Sequence, residues 1–331
     1  MNFLVTGGAG FIGSHLVEAL VAAGHHATAV DDLSTGSLSN LQGVTANPRF
    51  RFVQGSVCDK QALTGLIKDC DAIFHLAAAV GVQLIVQRPV HTISTNIHGT
   101  EVVLELANSF RKKILITSTS EVYGKSIKVP FKEDDDILLG STRFSRWSYA
   151  CSKMVDEFLA LAYHAEFGLE VIVCRPFNTI GPRQVGDYGM VVPRFVRSAL
   201  ENKPVEIFGT GGQRRCFCNV SDLVSALMRL MNCREAIGEV INIGNTESTT
   251  IKSLADKIIA LTSSRSELRF LTHKEAYGRP VDDMLDRSPD ISKAARLIGF
   301  KPTISLEETL RQVIAHETST AAHGQGASCK P

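Results

Sequence analysis

The chain has 331 residues, with 35 Lys+Arg against 34 Asp+Glu and a formal net charge of +1. Such a balance argues against broad electrostatic binding to nucleic acid or acidic membranes. The length suits about two domains, and 44% hydrophobic with 21% charged residues is the composition of a globular protein with a large core.

From the N-terminus, Phe3-Leu4-Val5 reads as a strand, and apolar residues at helical spacing predict a helix over 13–23. A second strand over 27–30 ends in Asp31-Asp32. Further buried strands are expected at 50–54, 72–76, 114–117 and 171–174, with helices at 96–107 and 149–167. That alternation predicts an α/β fold, a doubly wound parallel sheet with helices on both faces. After Pro176 glycines and prolines cluster as far as Gly212, then 217–230 reads as strand and helix and 239–242 as a last strand. The expected domains are therefore interleaved. Residues 1–175 and 213–245 would build the sheet domain, and 176–212 with 246–317 a smaller C-terminal one. The small, polar residues 318–331 read as a disordered tail.

The longest apolar stretch, Ala72 to Val82, carries His75 and is about half the ~20 residues a bilayer span needs. No basic leader precedes the first strand, so a soluble, cytoplasmic protein without a membrane partner is expected. The 8 cysteines are scattered and do not resemble a disulfide framework. Cys216-Phe217-Cys218 is too tight for a zinc pair, so no metal is expected.

Gly7-Gly8-Ala9-Gly10-Phe11-Ile12-Gly13 follows the first strand and opens the first helix. Glycines at 7, 10 and 13 permit a tight turn and close approach of backbone to a pyrophosphate, which the helix N-terminus attracts. Asp31, at the end of the second strand, is placed to accept hydrogen bonds from ribose hydroxyls and to repel a 2′-phosphate. The pattern predicts a Rossmann domain that binds NAD rather than NADP.

Tyr149 and Lys153 lie one helical turn apart on one face. An ammonium there favours the phenolate, making Tyr149 a candidate general base towards an alcohol. Thr117-Ser118-Thr119-Ser120-Glu121-Val122-Tyr123-Gly124 leaves a buried strand at the carboxyl edge of the sheet, where open α/β folds bind ligands. Hydroxyls at that edge can share a proton with Tyr149.

Taken together, the Gly7–Gly13 turn, Asn96, Thr119, Tyr149 and Lys153 resemble the extended short-chain dehydrogenase/reductase family, in its nucleotide-sugar-modifying branch. The resemblance runs from about residue 2 to 315. It implies an NAD that is reduced and reoxidised in one cycle, held by Gly7, Gly10, Phe11, Ile12, Gly13, Asp31, Asp32, Ser56, Val57, Leu76, Ala77, Asn96 and Thr117. It also implies Tyr149 as base, Thr119 as its hydroxyl partner, and Lys153 as the residue that tunes Tyr149 and holds the nicotinamide ribose. Ser56 departs from the acidic residue that often reads the adenine amine.

The segment Arg175 to Arg183 resembles the family's diphosphate-contacting turn, with Asn178 in the binding position. By the same resemblance Arg183, Val192, Ile207, Arg215, Arg279 and Arg287 fall to the UDP-sugar substrate, Ile207 under the base and Arg215 clamping the diphosphate. A homodimer through a four-helix bundle, built on the helices at 96–107 and 155–163, is implied as well.

Three reaction classes share this scaffold: 4-epimerases, 4,6-dehydratases and hexuronate decarboxylases. Thr119-Ser120-Glu121 and the run Asp282 to Ile291 containing Arg287 resemble UDP-glucuronate decarboxylases, making Ser120, Glu121 and Arg287 candidate catalytic residues. The resemblance thus implies loss of carbon dioxide from UDP-glucuronate after C4 oxidation, giving a UDP-4-keto-pentose or UDP-xylose. Ala77-Ala78-Ala79-Val80-Gly81-Val82 looks like the epimerase version of its loop and keeps a UDP-sugar 4-epimerase open. A third reading is an NAD-sensing scaffold on the same fold, against which stand the intact Thr119, Tyr149 and Lys153.

Overall fold

The computed structural model describes residues 1–186, 190–278 and 284–326. The chain opens β1 (Asn2–Thr6), α1 (Phe11–Ala22), β2 (His26–Asp31), β3 (Phe50–Gln54), α2 (Lys60–Asp69), β4 (Ala72–His75), α3 (Val82–Gln87), α4 (Pro89–Ser109) and β5 (Lys113–Thr117). It continues with α5 (Arg146–Phe167), β6 (Val171–Pro176), β7 (Thr179–Ile180), α6 (Val191–Leu200), β8 (Val205–Phe208), β9 (Arg214–Cys216), β10 (Cys218–Asn219), α7 (Val220–Asn232) and β11 (Val240–Ile243). Last come β12 (Ser248–Thr250), α8 (Ile251–Leu261), β13 (Leu268–Leu271), α9 (His273–Tyr277), β14 (Asp286–Arg287), α10 (Ser292–Ile298) and α11 (Leu306–Gly326).

Seven strands form one sheet in the order β11-β6-β5-β4-β1-β2-β3, every pair parallel. Strands covered on both faces are apolar throughout, as in β1 and β4, where Phe3, Leu4, Val5, Ile73 and Phe74 are all buried. Leu16, Val17 and Leu20 of α1 meet Leu223, Leu227 and Leu230 of α7 in the core on one face. Leu63 and Ile67 of α2, Val103 and Leu104 of α4 and Ala160 of α5 fill the other. The order reverses between β1 and β4, and such a reversal opens a crevice at the carboxyl ends of the strands.

Outside this sheet, Phe195 and Val196 of α6, Val205 and Ile207 of β8, Leu254 and Ile258 of α8 and Leu310 of α11 share a second core. Three boundaries differ from the sequence reading. Residues 214–216, assigned to the sheet domain, pair instead with β12 and β14. Ala294 and Phe300, assigned to the smaller domain, sit in the core of the large sheet. Helix α11 runs on to Gly326 where a disordered tail was expected from 318. Extending an existing helix fixes one residue per bond, which polar residues tolerate far better than starting one.

Helix α4 also begins seven residues before 96. Pro89 stands at its first position, where a missing N–H costs nothing because no partner exists for it there.

Candidate active site

One cavity of about 530 Å³ lies along the carboxyl edge of the sheet, running from Asp31 and Asp32 past Gly7, Gly10 and Gly13 to Thr119 and Tyr149, and on to Asn178 and Arg287. Its floor begins in the turn after β1. Gly7 has φ +69, and a Cβ on it would meet Ala77 N at 2.8 Å; a Cβ on Gly13 would meet Gly7 O at 2.0 Å. The turn is therefore closed to side chains and open to a ligand's phosphates, at the N-terminus of α1. Phe11, Ile12, Val57, Leu76, Ala77 and Thr117 line the same cavity.

Asp31 Oδ2 accepts from Ala9 N at 3.0 Å and Oδ1 from Leu33 N at 2.9 Å. Burial pushes this carboxyl upward, and the backbone donors hold it back. Asp32 accepts from Ser34 N at 2.9 Å. Ser118 lines the same cavity, and its Oγ is buried without a hydrogen-bond partner among the described residues. A glycine cradle, a buried carboxylate at the end of β2 and an unsatisfied hydroxyl on one continuous wall fit a dinucleotide.

Thr119 ends the segment after β5, and its hydroxyl hydrogen-bonds the phenol of Tyr149. Burial, then the carboxylate of Glu121, push this phenol well above the ordinary tyrosine range, while the Thr119 bond and Arg287 oppose them. Glu121 Oε1 lies 3.2 Å from Arg287 Nη1 and 3.7 Å from Arg146 Nη2. Arg287 also donates through Nη2 to Asn178 Oδ1. Thus β5, α5, β6 and β14, far apart in sequence, bring Thr119, Ser120, Glu121, Tyr149, Asn178 and Arg287 to one wall. The cluster offers a buried hydroxyl base, a carboxylate and a guanidinium, the parts needed to move a proton beside an anionic sugar.

Several expected residues lie elsewhere. Asn96 is buried beneath the wall, accepting from Ala79 N at 2.7 Å and donating to Ser152 Oγ at 3.1 Å, so it fixes the loop after β4 from behind. Lys153 Nζ is bonded to Asp156 at 2.8 Å. Ser56 Oγ accepts from Cys58 N at 3.2 Å, turning back on its own loop. Val192 lines the cavity, but Ile207 points into the second core. The resemblance assigned it to the nucleotide base, whereas here it packs with Val205 in the core between α6 and α8. Arg215 donates to the carbonyls of Met284 and Leu285, bracing the segment that leads to Arg287. Arg183 bonds Glu18 at 2.8 Å, tying the turn after β7 to α1. Arg279, with Asp282 and Asp283, lies outside the described residues.

The sequence reading assigned no site role to Arg146, Arg88 or His91. The last two line the cavity, three residues apart, Arg88 capping α4 and His91 on its first turn. That spacing is the available signal, but a helix expected only from 96 leaves both outside it. Among the described residues no group of His, Cys, Asp and Glu is arranged to hold a metal ion, and no helix is long and apolar enough to cross a membrane.

Comparison with known proteins agrees with this geometry. A family model described as GDP-mannose 4,6 dehydratase matches residues 4–313. The chain is 40% identical over 312 residues to the UDP-N-acetyl-alpha-D-glucosaminuronate decarboxylase of Bacillus cytotoxicus, covering 94% of this chain and 96% of that one. It is 37% identical over 324 residues to UDP-glucuronic acid decarboxylase 1 of Danio rerio, covering 97% and 74%. Among solved structures it resembles the UDP-glucuronic acid 4-epimerase from Bacillus cereus, in complex with UDP-glucuronic acid and NAD, with a TM-score of 0.88, 30% identity and coverage of 97% and 100%. DesIV, a dTDP-glucose 4,6-dehydratase from Streptomyces venezuelae with NAD bound, gives a TM-score of 0.89 at 28% identity, covering 98% of each chain. A glycine turn under β1, a Thr–Tyr pair above it and a match spanning 4–313 converge on one conclusion: the chain belongs to the GDP-mannose 4,6-dehydratase family of extended short-chain dehydrogenases/reductases.

Proposed function

We propose that this protein is an NAD-dependent UDP-glucuronate decarboxylase. The observation that carries this reading is Thr119-Ser120-Glu121 on the cavity wall, with Glu121 Oε1 3.2 Å from Arg287 Nη1. The relatives at 40% and 37% identity, themselves named as decarboxylases of UDP-linked uronates, support it.

Gly7, Gly10, Phe11, Ile12 and Gly13 would hold the pyrophosphate of NAD, Asp31 and Asp32 the adenosine ribose, and Leu76, Ala77 and Thr117 the nicotinamide end. When bound, NAD supplies the two-electron acceptor at C4 of the sugar. Tyr149, hydrogen-bonded to Thr119, takes the proton of the C4 hydroxyl. The sugar is then a β-keto acid. Its C5–C6 bond breaks, carbon dioxide leaves, and the electron pair enters the C4 carbonyl as an enolate. Glu121 and Arg287 orient the sugar and manage the return to C5 of a proton from solvent, with Ser120 assisting, while Asn178 contacts the diphosphate. Re-reduction at C4 gives UDP-xylose, and release before it gives the 4-keto-pentose.

Incubation with UDP-glucuronate and NAD, with products identified by mass, tests this. A loss equal to carbon dioxide is expected, and two hydrogens separate the ketone from the alcohol. Inversion at C4 without that loss would replace decarboxylation by epimerisation, the reading favoured by Ala77 to Val80 on the cavity wall.

The assembly in this reading is a homodimer through α4 and α5, in the cytoplasm. Val90, at 77% exposure, and Ile93 on α4, with Val155 and Phe158, at 69%, on α5, leave apolar side chains in water on two neighbouring helices, a pattern that marks an interface. Mass measurement in solution should give twice 35.9 kDa, and Phe158→Glu should give the monomer.

A further inference from the structure

Beneath Tyr149 the same helix buries an ion pair. Lys153 Nζ and Asp156 Oδ2 are 2.8 Å apart, with side chains 2% and 1% exposed. The second carboxylate oxygen, Asp156 Oδ1, is buried without a hydrogen-bond partner among the described residues. Thr100 of α4 reaches the carboxyl from one side, and its hydroxyl lies 3.1 Å from His75 Nε2. His75 Nδ1 is in turn 2.8 Å from Thr6 Oγ1.

Stability does not account for such a pair. Taking two charges out of water costs as much as their attraction returns, and apolar residues of the same volume often do as well. A half-satisfied carboxylate is worse still. What it does affect is the phenol one turn away. An ammonium beside a phenol favours the phenolate, whereas a carboxylate bonded to that ammonium takes up its field and adds a charge that opposes ionisation.

The groups facing the phenol come from three elements. Glu121 and the Thr119 hydroxyl lie after β5, Asp156 on α5 with Lys153 bonded to it, Arg287 on β14 and Arg146 at the start of α5, against Glu121. Behind the pair, Glu157 is held by Arg175, and His75 on β4 is kept neutral by burial, which pushes it down to about 3. Of these charges Asp156 alone is bonded to Lys153, so it decides how much of the ammonium's field reaches Tyr149.

We infer that Asp156 is a positioning residue which, by holding Lys153, sets the pH at which Tyr149 ionises. This rests on the assignment of Tyr149 as the base. The test is an ultraviolet difference titration of the NAD-loaded protein, with Tyr149→Phe subtracted to isolate that phenol. Removing the negative charge in Asp156→Asn should start tyrosinate formation about one pH unit lower, and Asp156→Glu should keep the wild-type onset. An onset in Asp156→Asn that is unchanged or higher overturns the inference, as does a shift in Asp156→Glu equal to that in Asp156→Asn. Where Asp156→Asn does not fold, Asp156→Ser, neutral and smaller, gives the same readout. A purely structural role would move the melting temperature and not the onset. Because no sugar is added, the result stands even if UDP-glucuronate proves not to react.

Discussion

Asp156 and Glu157 are adjacent on α5, and each is buried against a cation, yet the two pairs are built differently. Glu157 takes both oxygens to Arg175, Oε1 to Nε at 2.9 Å and Oε2 to Nη2 at 2.7 Å. Arg175 spends its remaining donors on Tyr123 OH at 2.9 Å and Glu133 O at 3.2 Å, and Tyr123 donates onward to Asn242 at 2.8 Å. The set joins α5, β6, the turn after β5 and β11, and the forked geometry leaves both carboxylate oxygens satisfied. Asp156 is held by a flexible ammonium and the Thr100 hydroxyl, and its Oδ1 has no hydrogen-bond partner among the described residues. A closed network makes a strut. The open one stays sensitive to whatever changes charge beside it, which is the property wanted under a base and a liability anywhere else.

The largest effect that sharpens this contrast is expected at Tyr149. Tyr149→Phe should lower turnover by about 10²- to 10⁴-fold, with the unfolding midpoint nearly unmoved, measured as product formed per minute beside a melting curve. Next is the strut. Glu157→Ala leaves the Arg175 guanidinium buried and unpaired, and about 3–5 kcal/mol of stability should be lost in urea titration; a loss below 1 kcal/mol would erase the distinction drawn here. Smaller again, taken per pH unit, is the response to acid. His75 has its folded pKa depressed to about 3 by burial, so the unfolded chain binds the extra proton first. Its contribution is fully present above about 6.5 and is lost as pH falls from there towards 3, by about 1.4 kcal/mol per pH unit. His75→Gln should flatten that part of the stability profile. The smallest effect is Thr119→Val, where one neutral hydrogen bond to the base is removed; about 1 kcal/mol, or roughly fivefold in turnover, is expected in steady-state rates.

The parts of the site that lie close in sequence were the ones legible there. Gly7, Gly10 and Gly13 sit in one turn between a strand and a helix, and Tyr149 and Lys153 one turn apart, so spacing together with Asp31 and the hydroxyl-rich segment 117–124 pointed to a dinucleotide and a base. Glu121 and Arg287 are separated by 166 positions, and no local pattern joins them; only the resemblance to a family did. Where Ile207 and Arg215 face was out of reach for the same reason, since which side of β8 or β9 meets the cavity depends on how the second core packs. Asp156 was within reach of the same spacing argument that found Lys153, yet in a helix rich in charge it reads as one more solvated residue until its burial is known. Pro89 hid the first turns of α4, because a proline signals a break as readily as a beginning.

One consequence follows from the glycine at 13. A methyl there would press on Gly7 O; Gly7 abuts Ala77, Ala79 is bonded to Asn96, Asn96 to Ser152, and Ser152 Oγ to Tyr149 O at 2.9 Å. The smallest possible side chain at the phosphate end would thus be transmitted, contact by contact, into the helix that carries the base. Tolerance to substitution in this protein is governed by such lines of touching atoms as much as by distance from the reacting groups.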